Sequence, residues 1–126
     1  MWGGVGLGSK GALGRCLAYG AGVAEDVGRG LALVRESAAA GSSFGQFVVG
    51  KCYHAGWGVF QDDAEAVRWC RLAAVQGSAV GQYGLGFMFE YGRGVAKDTA
   101  EAIRLYRLAA AQGEAYATAA LKRLGA

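Results

Sequence analysis

The sequence predicts an all-α, right-handed α/α solenoid made of about three helix-turn-helix repeats of about 36 residues, followed by a C-terminal capping helix. Three observations support this fold class. The segments GAGVAED, GWGVFQD and GRGVAKD recur at a constant spacing, helical patterns flank each of them, and the 126-residue chain has no proline. Self-similarity at a fixed period is the signature of repeat architectures. We therefore expect a single solenoid domain over 1–126, with repeats at about 6–41, 42–77 and 78–113 and a capping half-repeat at 114–126.

The first helix of each repeat is clearest in the third copy, where it is predicted over residues 79–91. Tyr83, Phe87 and Tyr91 fall on one stripe of this helix, and a second stripe consists of Leu85, Met88 and Phe89. Gly92 is expected to end the helix, because the residue that follows a helix often adopts a left-handed conformation.

A glycine recurs inside the first helices, at Gly14, Gly50 and Gly86. A glycine in a helix interior costs about 1 kcal/mol relative to alanine. Its recurrence in one column therefore predicts that another helix approaches the backbone closely at this position, where no side chain would fit.

The second helix of each repeat is predicted to begin at an aspartate. Asp62 with Glu65, and Asp98 with Glu101, have the spacing of an acidic N-cap and a carboxylate that reaches back to free amides. Arg29 stands where the first repeat would have this glutamate, so that repeat is expected to be weaker. In the third repeat the side chains expected to point inward are Ala102, Tyr106, Ala109 and Ala110.

The two ends of the chain differ in polarity. A short helix over about 115–124 ends with Lys122 and Arg123, which suits the polar cap that solenoids need. The glycine-rich start, MWGGVGLG, has no such cap. The sequence therefore predicts self-association through the N-terminal repeat.

The composition disfavours several classes of function. GLGSKG, residues 6–11, has the spacing of a dinucleotide-binding loop, but the preceding MWGGV is too short and too rich in glycine for the strand that such a loop follows, and residues 9–11 align with the first helices of the other repeats. Three cysteines without a CxxC or Cys/His pattern predict no metal site, and the sequence predicts no cofactor. Residues 72–89 carry no charge but are too rich in glycine and glutamine to cross a membrane. The absence of a secretory signal and the odd number of cysteines favour an intracellular location.

The chemistry-bearing residues give no catalytic pattern. His54 is the single histidine, and the sequence indicates no nucleophile or carboxylate beside it, so an enzyme is not expected. Arg35, Arg71 and Arg107 recur at the repeat spacing, with Arg68 and Arg104 one turn earlier. In a stacked solenoid these arginines would form a row of positive charge, but a net charge of +3 disfavours nucleic-acid binding by this row. A solvent-exposed face on which the arginines pair with glutamates explains them better.

The third copy contains the pattern Leu85-Gly86-x-x-Phe89-x-x-Gly92-x-Gly94-Val95-x-x-Asp98-x-x-x-Ala102-x-x-Leu105-Tyr106-x-x-Ala109-Ala110-x-x-Gly113. This pattern strongly resembles the Sel1-like repeat (SLR), a relative of the tetratricopeptide repeat. The second copy matches nearly as well, and the resemblance covers about residues 9–125. The first copy departs from the pattern at Gly30, Val34 and Ser37.

The resemblance implies a solenoid whose first helices line a concave groove and whose members bind other proteins without catalysis. We therefore expect a partner protein, which contributes a peptide or helical segment, and no small-molecule substrate. The expected groove residues are Arg15, Tyr19, Phe44, Phe47, Lys51, His54, Val80, Tyr83, Phe87, Glu90, Tyr116 and Arg123. Two alternatives stay open: some of these aromatic side chains pack between repeats, or the chain is a structural subunit that contacts its neighbours through its ends and outer face.

Overall fold

The computed structural model describes the backbone of residues 21–126 and the side chains of residues 28–126. This part of the chain is entirely α-helical and turn, without a strand. Its six helices are α1 (Ala21–Ala39), α2 (Ser43–Ala55), α3 (Asp63–Val75), α4 (Ala79–Tyr91), α5 (Thr99–Ala111) and α6 (Ala115–Leu124). None of these helices is long and apolar enough to cross a membrane.

Each helix packs against the next one along the chain, from α1 through to α6, and α2 also contacts α4. The helices α2, α4 and α6 are therefore the first helices of successive repeats, and α1, α3 and α5 are the second helices. Stacked helix pairs in which each unit touches its sequence neighbours form a solenoid. The predicted all-α solenoid is confirmed.

The first repeat differs from the expected pattern. The segment 21–26, which aligns with the turns of the other repeats, lies within α1, which begins at Ala21. Its counterparts in the other repeats are turns followed by a capped helix. Arg29 stands in this repeat where Glu65 and Glu101 follow the capping aspartates of the other two. The predicted first helix of this repeat, with Arg15 and Tyr19, lies outside the described residues.

The predicted aspartate N-caps of the second and third repeats are present, but the reciprocal half of each cap is not. The Glu65 and Glu101 carboxylates bind Arg68 and Arg104 instead, and the amides of the two capping aspartates donate to main-chain carbonyl oxygens of the preceding helix. The carboxylates of Asp62 and Asp98 accept hydrogen bonds from the amides of Glu65 and Glu101 at 3.2 and 3.0 Å. Gly92 ends α4 in a left-handed conformation with φ 64°. Such a conformation costs glycine little because it has no Cβ atom.

The glycine column marks a close approach between the two helices of a repeat, as predicted. A Cβ atom added at Gly50 would lie 2.9 Å from the Cys70 sulfur. One added at Gly86 would lie 2.9 Å from the Tyr106 ring and 3.3 Å from the Ala102 carbonyl. Helix α5 therefore rests directly on the backbone of α4, and α3 on that of α2.

This close approach surrounds a core of small side chains and a few large ones. Ala102, Tyr106 and Ala109 are fully buried, as expected for the inward stripe of α5, and Ala110 is partly buried. Cys52 and Cys70 are buried free thiols. Burial raises the pKa of Cys70 to about 12, so this thiol stays protonated at neutral pH.

Glutamine pairs fasten each repeat to the one before it. The Gln46 amide donates to the Ala38 carbonyl oxygen at 3.3 Å and accepts from Gln76 at 2.7 Å. In the next repeat Gln112 donates to Gln82 and to the Gly77 carbonyl oxygen, both at 2.9 Å. Satisfied polar networks of this kind hold packed elements in one arrangement.

Helix α6 is held on α4 and α5 by both apolar and charged contacts. Ala117 and Ala120 are buried in the core of the third repeat. The Arg123 guanidinium donates to the Glu90 carboxylate at 2.5 and 3.1 Å, and the Tyr106 hydroxyl donates to the same carboxylate at 2.6 Å. These hydrogen bonds hold the pKa of Glu90 below its usual value, and the one from Arg123 has the largest effect.

Alanine at two helical glycines should change stability in opposite directions. At Gly86 the added methyl group overlaps Tyr106, so Gly86→Ala should destabilise the fold by about 1–2 kcal/mol despite its better helix propensity. At Gly28 in α1 no atom lies within 4 Å of the added Cβ, so Gly28→Ala should stabilise by about 0.5–1 kcal/mol. Urea unfolding of both variants measures the difference; equal effects would contradict the close-approach argument.

The Glu90 carboxylate should make stability depend on pH. Because the pKa of Glu90 is lowered in the fold, its contribution is present above the unfolded value of about 4.3 and is lost as the pH falls through the folded value. Glu90→Gln should therefore lower the melting temperature by a few degrees at pH 7 and by less at pH 3. Thermal unfolding followed by circular dichroism tests this, and equal losses at both pH values would be inconsistent with it.

Candidate functional site

The candidate site is the face formed by the first helices α2, α4 and α6, called here the first-helix face. Side chains at equivalent repeat positions form four rows across it. From the start of the helices to their ends, the rows are Phe44, Val80 and Tyr116; Phe47, Tyr83 and Ala119; Lys51, Phe87 and Arg123; and His54 and Glu90. Ten of the twelve expected groove residues belong to these rows, and Arg15 and Tyr19 are outside the described part of the chain.

The aromatic side chains of this face fall into two groups. Phe44 and Tyr116 are 64% and 70% exposed. Phe47 and Phe87 are half-buried against the core, while Tyr83 lies between the Tyr106 and Tyr116 rings at centroid distances of 5.8 and 5.9 Å. Phe47 and Phe87 thus pack on the core with one side, and Tyr83 joins the buried Tyr106 ring to the exposed Tyr116 ring.

A second set of ring contacts joins α2 to α4 near the ends of these helices. The His54 ring meets the Phe87 ring edge-on at 5.6 Å, and Phe87 contacts Tyr91 at 4.8 Å. Tyr91 is exposed at the C-terminal end of α4. The sequence places Tyr91 on the aromatic stripe but not among the expected groove residues, although Tyr91 lies one helical turn after Phe87.

Burial raises the pKa of Tyr83 and of Tyr106, and the negative charge of nearby carboxylates adds to the effect. For Tyr106 the nearby carboxylate is that of Glu90, which accepts a hydrogen bond from the Tyr106 hydroxyl. Both phenols therefore stay neutral at physiological pH and serve as hydrogen-bonding and stacking groups.

The His54 side chain has a carboxylate partner that the sequence did not indicate. Its Nδ1 atom lies 2.8 Å from Oδ1 of Asp63, and Nε of Arg93 lies 3.5 Å from the other oxygen of that carboxylate. Asp63 is the first residue of α3, and Arg93 belongs to the turn after α4. In an antiparallel helix pair the end of α2 lies beside the start of α3. This geometry could have identified Asp63 as a partner of His54 from the sequence.

Glu90 is placed differently from the other expected groove residues. Its side chain is turned inward and only 6% of the residue is exposed. Tyr106 and Arg123 already occupy its carboxylate. Arg123 is half-exposed, with 51% of its side chain accessible, so the guanidinium has one side on Glu90 and another toward solvent.

The arginines of the second helices are mostly paired on the outer face. Arg68 and Arg104 bind Glu65 and Glu101 at 2.9 and 2.6 Å, and these hydrogen bonds lower the pKa of both glutamates. Arg35 donates to the Tyr53 hydroxyl, and Arg71 lies over the Phe89 ring. Of the five recurring arginines, Arg68 and Arg104 thus pair with the predicted glutamates, whereas Arg35 and Arg71 contact aromatic side chains. Among the described residues, no three His, Cys, Asp or Glu side chains are grouped to bind a metal ion.

Comparison with known proteins identifies relatives of this fold. A crystal structure of a Sel1 repeat protein from Oxalobacter formigenes is 36% identical, with a TM-score of 0.66 over 68% of this chain and 35% of that chain. The structure of c5321, a protective antigen present in uropathogenic Escherichia coli strains and displaying an SLR fold, is 37% identical, with a TM-score of 0.69 over 71% of this chain and 19% of that chain. The chain thus spans about a third and a fifth of these two relatives.

A search of curated protein sequences gave no significant match. The family profile described as the Sel1 repeat matches three consecutive segments, residues 11–42, 43–78 and 79–114. These segments include nearly all of the helix pairs described above and most of the sequence. The chain belongs to the Sel1 repeat family.

Proposed function

We propose that this protein is a non-enzymatic interaction module that binds a peptide or helical segment of a partner protein in a groove on its first-helix face. Sel1 repeat proteins are generally protein-interaction modules, which supports the broad class of function. The match covers only about a third and a fifth of the two relatives, so their partners are not assigned to this chain and the partner has to be identified with this protein itself.

The observation that carries the proposal is the arrangement of aromatic side chains on that face. Phe44, Tyr91 and Tyr116 are exposed, and they adjoin rings that the core holds in place, such as Phe47 and Phe87. Exposed aromatic side chains on rigid helices bury large areas at little entropic cost, which is typical of binding hot spots.

We assign His54 and Asp63 a structural role. Their hydrogen bond joins the end of α2 to the start of α3, and Arg93 extends it to the turn of the next repeat. Phe87 packs against the imidazole ring. A carboxylate on Nδ1 can also orient a general base, but within residues 28–126 no hydroxyl or thiol is hydrogen-bonded to the other ring nitrogen, Nε2.

Removing the exposed rings should abolish partner binding without unfolding the protein. We expect the triple variant Phe44→Ala, Tyr91→Ala, Tyr116→Ala to retain less than a tenth of the partner captured by the wild type from lysate of the source organism. Quantitative mass spectrometry of the captured proteins measures this, and circular dichroism checks that the variant is folded.

Phe60→Ala is the matched control, because Phe60 is 96% exposed in the turn between α2 and α3 and lies off the first-helix face. This variant should capture the same partners as the wild type. Unchanged capture by the triple variant would contradict groove binding and favour a structural subunit that contacts neighbours through its ends and outer face.

Self-association through the N-terminal repeat stays a prediction from the sequence, since residues 1–20 lie outside the described structure. We expect sedimentation velocity to show a species larger than the monomer at micromolar concentration. A single monomeric species would contradict it.

A further inference from the structure

The first-helix face is divided into an apolar half and a basic half. The two rows nearest the start of the helices contain Phe44, Phe47, Val80, Tyr83, Ala119 and Tyr116. Among the described residues, the next row consists of Lys51 on α2, Phe87 on α4 and Arg123 on α6. A ligand that lies across the three helices therefore meets aromatic surface along one edge and two cations along the other.

The carboxylates near this face are already occupied by groups of the protein. Glu90 is buried and binds Arg123 and Tyr106, and Asp63 binds His54 and Arg93. Glu114 lies at the opposite, N-terminal end of α6, where its carboxylate accepts a hydrogen bond from the Ala117 amide. The acidic groups are thus turned inward or placed at a helix start.

The cations, in contrast, keep surface toward solvent. Lys51 is exposed, and its ammonium group lies 5.7 Å from the centroid of the Phe47 ring. This cation–π contact holds the charge beside the aromatic rows but leaves its hydrogen-bond donors free for a ligand. Arg123 and Arg93 are each about half-exposed although each pairs with a carboxylate.

We propose that the partner segment bound on the first-helix face is acidic and amphipathic. Its apolar side chains lie on Phe44, Phe47, Tyr83 and Tyr116, and its carboxylates bind Lys51 and Arg123. The inference rests on the proposed function and specifies the chemistry of the ligand. Charge complementarity of this kind selects partners and speeds association.

The repeat geometry also sets a spacing for the acidic residues. Packed helices lie 8–10 Å apart, so Lys51 and Arg123, on helices two steps apart, are separated by roughly 16–20 Å. An extended segment covers this span in about 5–6 residues and a helical one in about 11–13. Two acidic clusters at one of these spacings, flanking apolar residues, are therefore expected in the ligand.

A random 16-residue peptide library displayed on phage tests the proposal with the intact chain as bait. We expect the selected peptides to be enriched in Asp and Glu together with apolar residues. Synthetic copies, measured by fluorescence anisotropy, should bind at least tenfold more weakly to Lys51→Glu and to Arg123→Gln, and more weakly as salt is raised. Arg107→Glu, which changes an exposed arginine on the outer face, should bind them as the wild type does.

The outcomes separate this inference from the proposed function. Peptides that lose binding with the triple aromatic variant but carry no excess of acidic residues, or bind Lys51→Glu unchanged, overturn the acidic ligand alone. Peptides that bind the triple aromatic variant unchanged, or a library that enriches no sequence, overturn the groove itself. Because Arg123 also fastens α6, loss of binding by Arg123→Gln counts only together with loss by Lys51→Glu, whose side chain makes no such internal ion pair among the described contacts.

Discussion

The closeness of the two helices at Gly86 is the constraint on which the third repeat depends. Since no side chain separates α4 from α5 there, the Tyr106 ring lies against the α4 backbone and is fully buried. From that position its hydroxyl reaches Glu90, and the same carboxylate binds Arg123 of α6. The lack of a side chain at Gly86 thus determines where α6 is held on α4. It also determines the position of Tyr116 beside Tyr83.

The same first helices serve two purposes on their two sides. The side toward the second helix uses glycine at the same positions in the second and third repeats, and its apolar residues keep their type but change in size, as Val49 and Leu85 do. The opposite side differs between repeats, as Lys51, Phe87 and Arg123 at one repeat position illustrate. A constant packing side therefore presents a variable surface, which is how a repeat protein obtains a specific face from a uniform scaffold.

The fold could be predicted from the sequence because its signals are local and repeated. Helix caps at Asp62 and Asp98, and the glycine column, each have a short-range physical cause that the sequence displays. The start of α1 could not be predicted, since alignment with the other repeats imposed a turn where the chain continues as a helix. The repeat register was informative only where the cap residues were also present.

The candidate site could be predicted only in part. Helical spacing identified the aromatic stripe, but a side chain's partner depends on tertiary contacts that spacing does not contain. The alignment of His54 with Glu90 suggested two similar surface positions. In the fold, His54 binds Asp63 of the next helix, whereas Glu90 turns inward because Tyr106 and Arg123 supply donors for its buried charge.

The glutamine pairs have a consequence for how such a protein can grow. Gln46 and Gln76 lie in one repeat, and Gln82 and Gln112 in the next, while the acceptor each pair uses in the preceding repeat is a main-chain carbonyl oxygen. Every residue type provides that acceptor. A tandem gene duplication of one such unit would therefore copy both the glutamine pair and the main-chain acceptor that the next pair needs. The new copy would also pack on a neighbour whose side chains had already diverged.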